Sequence, residues 1–442
     1  MVSIIYFPGS KAILYNSKVL FSDLENRNKN KIELLAPVGS FAALQAAIHA
    51  GADAVYFGIA DFNMRATAAV NFTMENLAEV VDICHQANIK CYLTVNTLLY
   101  NEDLLTMQRI VDAAKANAVD AVIVADVATI QYARQVGIEV HISTQLSISN
   151  IEGVKFYAQF ADRIVLAREL SLEQVAEICR QIEEMKIVGP KGNLVEIEVF
   201  AHGALCVAVS GRCGMSVFCT GSSANRGKCS QICRRPYKVT DLLTNQEMVI
   251  DNNYVMSASD LSTIGMLDEL VASGVRVLKI EGRGRGADYV DTVISTYRKA
   301  LQAIEDGTYS EELIKDWQED LAKVFNRGFT KGLFMGRSFD EWAGFSGNKS
   351  KEEKLLIGKV IKYYPKIEVV QIKIMADDTL KVGDEFGIIG DLTGIVRGQI
   401  IEMWVDDKTT QEAHKGEQVT FKISSKVKDK DDFYVFRKKK GL

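Results

Sequence analysis

The sequence predicts an α/β protein: a (β/α)8 TIM-type barrel with a cysteine-rich βα-loop insertion, followed by a small C-terminal antiparallel β-barrel. Three observations predict it. From about residue 32, apolar runs alternate with amphipathic helical stretches eight times over about 270 residues, the count and length of such a barrel. The runs are rich in β-branched residues and apolar on both faces, as a parallel sheet covered by helices requires. Beyond Lys354 the pattern becomes short strands punctuated by Gly, Asp and Lys, the mark of a small antiparallel barrel.

The elements follow in order. KIELLAPVG, closed by Pro37 and Gly39, precedes the helical FAALQAAIHAG; DAVYFG precedes NLAEVVDICHQAN; KCYLTVNTLL precedes DLLTMQRIVDAAKAN. DAVIVAD leads to ATIQYARQVG, EVHIST to NIEGVKFYAQF, and RIVLA to SLEQVAEICRQI, which opens on the capping box Ser171–Gln174. The seventh strand is EIEVFAHG, with its helix near DLSTIGMLDELVASG; the eighth is RVLKIEG, followed by DYVDTVISTYRKAL. A doubly wound sheet is the alternative, but APVGS lacks the Gly-rich first turn such a sheet uses. The expected organisation is an N-terminal extension (1–31), the barrel (32–305) with a cysteine-rich insertion (204–256), a helical and turn-rich connector (306–353) and the β-barrel (354–442). The closing FRKKKGL reads as a solvated basic tail.

Composition is that of a globular protein, and the net charge of −5 makes any basic surface a local feature. Asp or Lys interrupts every apolar run before it could span a bilayer, and the start lacks the layout of a signal peptide, so the expectation is a cytoplasmic protein with no membrane partner. In that compartment clustered cysteines favour metal or redox use over disulfides.

Five of the eight cysteines fall in EVFAHGALCVAVSGRCGMSVFCTGSSANRGKCSQICRR, after strand seven. Cys206 and Cys213 have six residues between them, Cys229 and Cys233 three. Four such thiols most often hold an iron–sulfur cluster or zinc; the six-residue gap departs from the two-to-four usual in zinc sites and favours the cluster. Cys219 is a possible substitute ligand, while Cys84, Cys91 and Cys179 read as core. Arg212, Arg226, Lys228, Arg234 and Arg235, then Lys238, suit RNA phosphates. Because βα loops form the catalytic face of a barrel, the insertion should lie over its mouth.

Polar groups at the strand ends complete the set. Asn63 and Arg65 follow strand two, Asn96 ends strand three, Asp126 strand four; Gln145 follows strand five, Arg168 and Glu169 strand six. Lys279, Glu281 and Arg283 bracket the end of strand eight, where the glycines of GRGRG leave room for an anion. Arg65, Arg168 and Arg283 are the candidate clamp for a small dicarboxylate; His202, Lys279 and Glu281 are the candidate catalytic groups. About half of these polar residues are expected only to cap helices or pair with one another. His141, mid-strand, reads as a core histidine. HExxH, GxSxG and an intact P-loop are absent.

EVFAHGALCVAVSGRCGMS (198–216) resembles the signature of the peptidase U32, or collagenase-like, family. ELLAPVGSFAALQAAIHAGADAVYFG, LAREL, NRGKCSQICRRPY and KIEGR extend the resemblance over nearly the whole barrel. It implies oxygen-independent hydroxylation of a tRNA wobble uridine, an rRNA cytidine or a ubiquinone precursor, with a [4Fe–4S] cluster on cysteines. The Cys229–Cys233 spacing and the appended β-barrel look most like the tRNA branch, which implies tRNA as partner, prephenate as metabolite and 5-hydroxyuridine as product. LKVGDEFGIIG…KGEQVTFKI is similar to the second-domain barrel of translation elongation factors, which leans the same way. A peptidase, with no recognisable nucleophile–base pair, is the rival; a zinc-stabilised RNA-binding adaptor is a third reading. The electron donor is not identified.

Overall fold

Eight parallel strands close on themselves. The computed structural model describes residues 31–59, 62–66, 71–248, 256–336, 343 and 347–439. The N-terminal extension before Lys31 and the last three residues lie outside these, as does part of the insertion. The strands are β1 (Glu33–Pro37), β2 (Ala54–Gly58), β3 (Lys90–Val95), β4 (Ala121–Val124), β5 (Glu139–Ile142), β6 (Arg163–Val165) and β7 (Glu196–Ala204), each parallel to the next. Three short strands intervene, β8 (Val239–Thr240), β9 (Glu247–Met248) and β10 (Asp260–Ser262), before β11 (Val277–Ile280) closes the ring against both β7 and β1. Outside lie α1 (Phe41–His49), α2 (Leu77–Gln86), α3 (Leu104–Ala116), α4 (Val127–Val136), α5 (Ile151–Ala158) and α6 (Leu172–Met185). They are followed by the short α7 (Met215–Thr220) of the insertion, α8 (Leu267–Ala272), α9 (Ala287–Glu305) and α10 (Glu311–Lys323). No helix among the described residues is long and apolar enough to cross a membrane.

The two-residue period of a strand sorts the side chains. Leu34, Val55, Phe57, Leu93, Val122 and Ile142 face the helices and form the main core; Leu35, Tyr56, Tyr92, Ile123 and Val277 form a smaller inner cluster. Helix starts are fixed locally. Ser171 and Gln174 make the expected capping box, and Asp126 accepts the N–H of Ala128 at 2.9 Å, which makes Asp126 a cap rather than a site residue.

The rest of the barrel interior is ionic. Arg163 donates to Glu33 (2.6 Å) and Glu196 (2.7 Å), and Tyr92 donates to Glu33 (3.0 Å). Lys279 donates to Glu198 at 2.7 Å, with both side chains almost wholly buried. His141 is buried there too, 3.1 Å from Glu139 and edge-on to Tyr92. Removing one partner of such a pair leaves a buried charge alone. Lys279→Met is therefore expected to cost about 3–5 kcal/mol, with Lys279→Met/Glu198→Leu recovering most of it. Urea unfolding of the three proteins checks this; equal midpoints for the single and double variants would refute it.

One element differs from expectation. DLS does not start a helix: Asp260–Ser262 form β10, antiparallel to the end of β7 (Asp260↔Ala204, Ser262↔His202), and the helix is confined to α8. The segment after α10 adds β12 (Phe329–Thr330), parallel to β10.

The C-terminal region comprises β13 (Glu352–Tyr364), β14 (Val369–Ile374), β15 (Leu380–Lys381), β16 (Glu385–Gly390), β17 (Gly394–Gln399), β18 (Met403–Val405), β19 (Lys408–Thr410), β20 (Glu412–Ala413), β21 (Gln418–Lys422) and β22 (Asp432–Lys438). Eight of these make one antiparallel sheet in the order β17-β16-β22-β13-β14-β21-β18-β19 around a core that includes Ile357, Ile372, Phe421 and Phe433. Ile395 and Phe436 pack on Ala42 and Ala46 of α1 and Ala287 of α9, and Lys354 pairs with Asp288 at 2.6 Å. FRKKKGL is thus only partly a tail: Phe436 to Lys438 belong to β22, and Arg437 pairs with Asp378 (2.8 Å) and Asp384 (2.9 Å).

Candidate active site

At the C-terminal ends of the strands a cavity of about 130 Å³ is lined by Cys206, Cys213, Cys229 and Cys233 and by Arg65, Arg168 and Arg283. Residues far apart in sequence meet here because the arginines sit just past barrel strands and the insertion after β7 brings the cysteines over the same mouth. Tyr56, Thr94, Gln145, Phe200, Lys279 and Glu281 complete much of the wall. The spacing of the cysteines marked four of these side chains beforehand. Tyr56, Thr94 and Phe200 were missed, although inward positions near strand ends were the available signal.

The three arginines are held differently. Arg283 is buried and donates to Asn63 Oδ1 and Thr94 Oγ1, both at 2.9 Å. Arg65 donates to Glu281 at 2.7 Å. Arg168 stacks over the Phe200 ring, 3.7 Å from its centroid, and donates one Nη1 bond to Ala204 O. Its Nε–H is buried without a partner, so Arg168 keeps a donor unused while lining the cavity.

Glu281 is an ionised anchor. Burial alone would raise its pKa, but Arg65, Arg285 and Arg168 outweigh that and bring it to about 2. Lys279 reaches the cavity floor already paired with Glu198; burial lowers its pKa and Glu198 opposes the shift.

His202 does not face the cavity. Its ring packs against Tyr289, Tyr297 and Phe329, in the layer outside the barrel. The pairing of β7 with β11 slips between Phe200 and His202, so the alternation that points Phe200 inward does not carry His202 with it. Burial lowers its pKa from 6.5 to about 3, so it stays neutral at working pH. Its folded pKa lies below the unfolded value. Its stability contribution is therefore complete above pH 6.5 and lost as pH falls toward 3. His202→Asn should make the acid-side loss of stability shallower between those limits in urea titrations; an unchanged pH slope would count against this account.

The cysteine loop is tied down from several sides. Gly203 has φ +106°, and a Cβ there would lie 2.4 Å from Glu281 O, so this crossing of β7 and the β11 loop admits only glycine. Glu169 accepts from Ser210 Oγ at 2.7 Å, and Asn225 accepts the Cys213 N–H at 3.2 Å. Burial raises the Cys233 thiol; Arg234 opposes this, while Cys206, Cys229 and Cys213 are near enough to add to it. Cys219, exposed on α7, does not line the cavity, and Cys84, Cys91 and Cys179 are buried as expected.

The basic residues divide. Arg212, Lys228 and Arg235 are exposed. Arg234 is turned inward: its guanidinium donates to Leu205 O, Ala258 O and Ser257 Oγ, which fastens the loop to the barrel instead of presenting charge to a partner. Arg226 is paired with Asp103 at 2.6 Å and lies over Tyr100.

The family model described as peptidase family U32 matches residues 39–344, the barrel with its insertion. The chain belongs to peptidase family U32. This U32 chain is 47% identical over 412 residues to a collagenase of Porphyromonas gingivalis, covering 93% of this chain and 99% of that one. It is 34% identical over 409 residues to tRNA hydroxylation protein P1 of Bacillus subtilis (90% and 93%). It is 38% identical over 279 residues to the 23S rRNA 5-hydroxycytidine C2501 synthase of Escherichia coli (63% and 40%). With such relatives, the chain is an enzyme.

Proposed function

We propose that this U32 enzyme hydroxylates RNA, forming 5-hydroxyuridine at the wobble position of tRNA, with a small carboxylate such as prephenate bound in the barrel. The observation that carries the reading is the convergence of four thiols and three guanidinium groups on one cavity at the barrel mouth. Relatives named for tRNA hydroxylation and for rRNA 5-hydroxycytidine synthesis support the substrate class.

The donor set fits a [4Fe–4S] cluster. Four thiolates on one zinc ion stand about 3.8 Å apart at the usual bond length of about 2.3 Å. Among the described residues, the trio with ligand atoms within 4.8 Å of one another is instead His85, Cys91 and Asp120, around the start of β3. The four cysteines surround a wider space, which suits a cluster better than a single ion. Bound by Cys206, Cys213, Cys229 and Cys233, a cluster would supply electron transfer. Around it the chain's own residues bind and orient. Arg168 and Arg283 offer donors to a carboxylate, Glu281 fixes Arg65, and Phe200 and Tyr56 exclude water from the floor.

The peptidase reading has the collagenase-named relatives behind it. Against it, no histidine lines the cavity among the described residues, and the two other groups there that could act as a base are already engaged, Lys279 with Glu198 and Glu281 with Arg65. The deciding experiment is mass spectrometry of tRNA and rRNA nucleosides from cells with and without the gene. Loss of a 5-hydroxypyrimidine, restored by the gene, supports the reading; identical nucleosides refute it.

A further inference from the structure

We infer that the cleft between the β3–α3 loop and the cysteine loop is a stacking platform for an unpaired RNA base next to the one being modified. The inference rests on the RNA reading above and extends it to residues outside the catalytic cavity. The cleft has a volume of about 450 Å³, and its lining includes Leu98, Tyr100, Asp103, Val217, Arg226 and Lys228. It adjoins the catalytic cavity through two continuous segments. Thr94 and Asn96 line the cavity while Thr97 and Leu98 line the cleft; Met215 and Ser216 line the cavity while Val217 lines the cleft. A strand of RNA with one base in the cavity would lay its neighbour here.

The chemistry of the cleft selects a nucleobase. The Arg226 guanidinium lies 4.0 Å from the centroid of the Tyr100 ring and is paired with Asp103 at 2.6 Å, while Tyr100 is 55% exposed. Pairing with Arg226 also uses the charge of Asp103, the one acid in the lining, and leaves Lys228 exposed beside it. Phe218, next in the chain to Val217 though not itself in the lining, is 90% exposed, with its ring over the Gly214 backbone, where an added Cβ would meet it at 3.0 Å. Leu98 and Val217 are exposed as well. Large apolar side chains left open on a catalytic face mark an interaction site. An exposed aromatic ring beside a guanidinium and an ammonium is what an unpaired base stacks on and its phosphate approaches.

The test is the affinity of the anaerobic holoprotein for a short fluorescent single-stranded RNA, measured by anisotropy across a salt series. Tyr100→Ala and Phe218→Ala should each weaken binding by on the order of tenfold. Their salt slope should stay unchanged, because no phosphate contact is lost. Tyr100→Phe should bind like the parent, and affinity for a blunt RNA duplex should not change in any variant. Parent affinity in both alanine variants, or no single-strand binding by the parent, would overturn the inference. Nucleoside analysis reports on the reaction separately. A parent that hydroxylates RNA while both alanine variants bind normally removes only the platform; a parent that binds through the platform but hydroxylates nothing removes only the proposed reaction.

Discussion

Anaerobically purified Cys213→Ser protein is expected to lose most of its iron and visible absorbance, together with all RNA hydroxylation. Serine is a far weaker ligand than a thiolate, and Cys213 sits where the loop is fixed by Asn225 and where the Met215 N–H points at its sulfur, at 3.4 Å. The same loss is expected at Cys206, Cys229 and Cys233. Two controls separate ligation from packing. Cys219→Ser, on the exposed side of α7, should keep full iron and activity. Cys84→Ser, fully buried on the inner face of α2, should cost about 1–3 kcal/mol of stability and no iron. Full iron in Cys213→Ser would dismiss the assignment.

The second large effect is expected at Arg168. Lysine in its place would keep the charge but lose the planar stack on Phe200, the bond to Ala204 O and the buried, unpaired Nε–H. Charge-assisted hydrogen bonds are worth about 1.5–3 kcal/mol each, so losing one or two should cut turnover at limiting metabolite roughly 10- to 100-fold. Iron content and RNA affinity should be untouched, because the hydrogen bond of Arg168 goes to Ala204 O at the root of the insertion and not to a cysteine or an exposed basic residue. Parent turnover at limiting metabolite would reduce Arg168 to a residue that only ties β6 to β7.

The barrel was legible because its signal is local. Each strand–helix unit carries its own apolar period and cap, as at Ser171–Gln174, and the closure of β11 on β1 and β7 follows from the count. The cysteine set was legible because its spacing is a covalent fact of the chain. Non-local events were not legible. Asp260–Ser262 are a strand only because the end of β7 offers them an antiparallel partner. His202 points outward because of one slip in pairing with β11, which no pattern within β7 announces. Arg234 resembles its basic neighbours in sequence, and differs only because the carbonyls it meets belong to Leu205 and Ala258. The polar strand ends divided as supposed: Asp126 caps a helix, while Arg168 and Arg283 reach the cavity.

The pairing of β10 with the end of β7 gives the insertion a root. Ala204 and Asp260 stand opposite each other in one ladder, so the chain leaves the barrel wall and re-enters it at the same place. The closure of the chain between them is set at that root, and the cost of lengthening such a connection grows only with the logarithm of its length. The barrel strands therefore tolerate changes of length in the part of the insertion that does not tie back to them. Residues could be added or removed at the turn of the β8–β9 hairpin, which follows the last cysteine of the insertion, without disturbing a single barrel strand. In a scaffold wired this way, the reach of the enzyme toward larger or smaller RNAs can drift over evolutionary time while the reaction chamber stays the same.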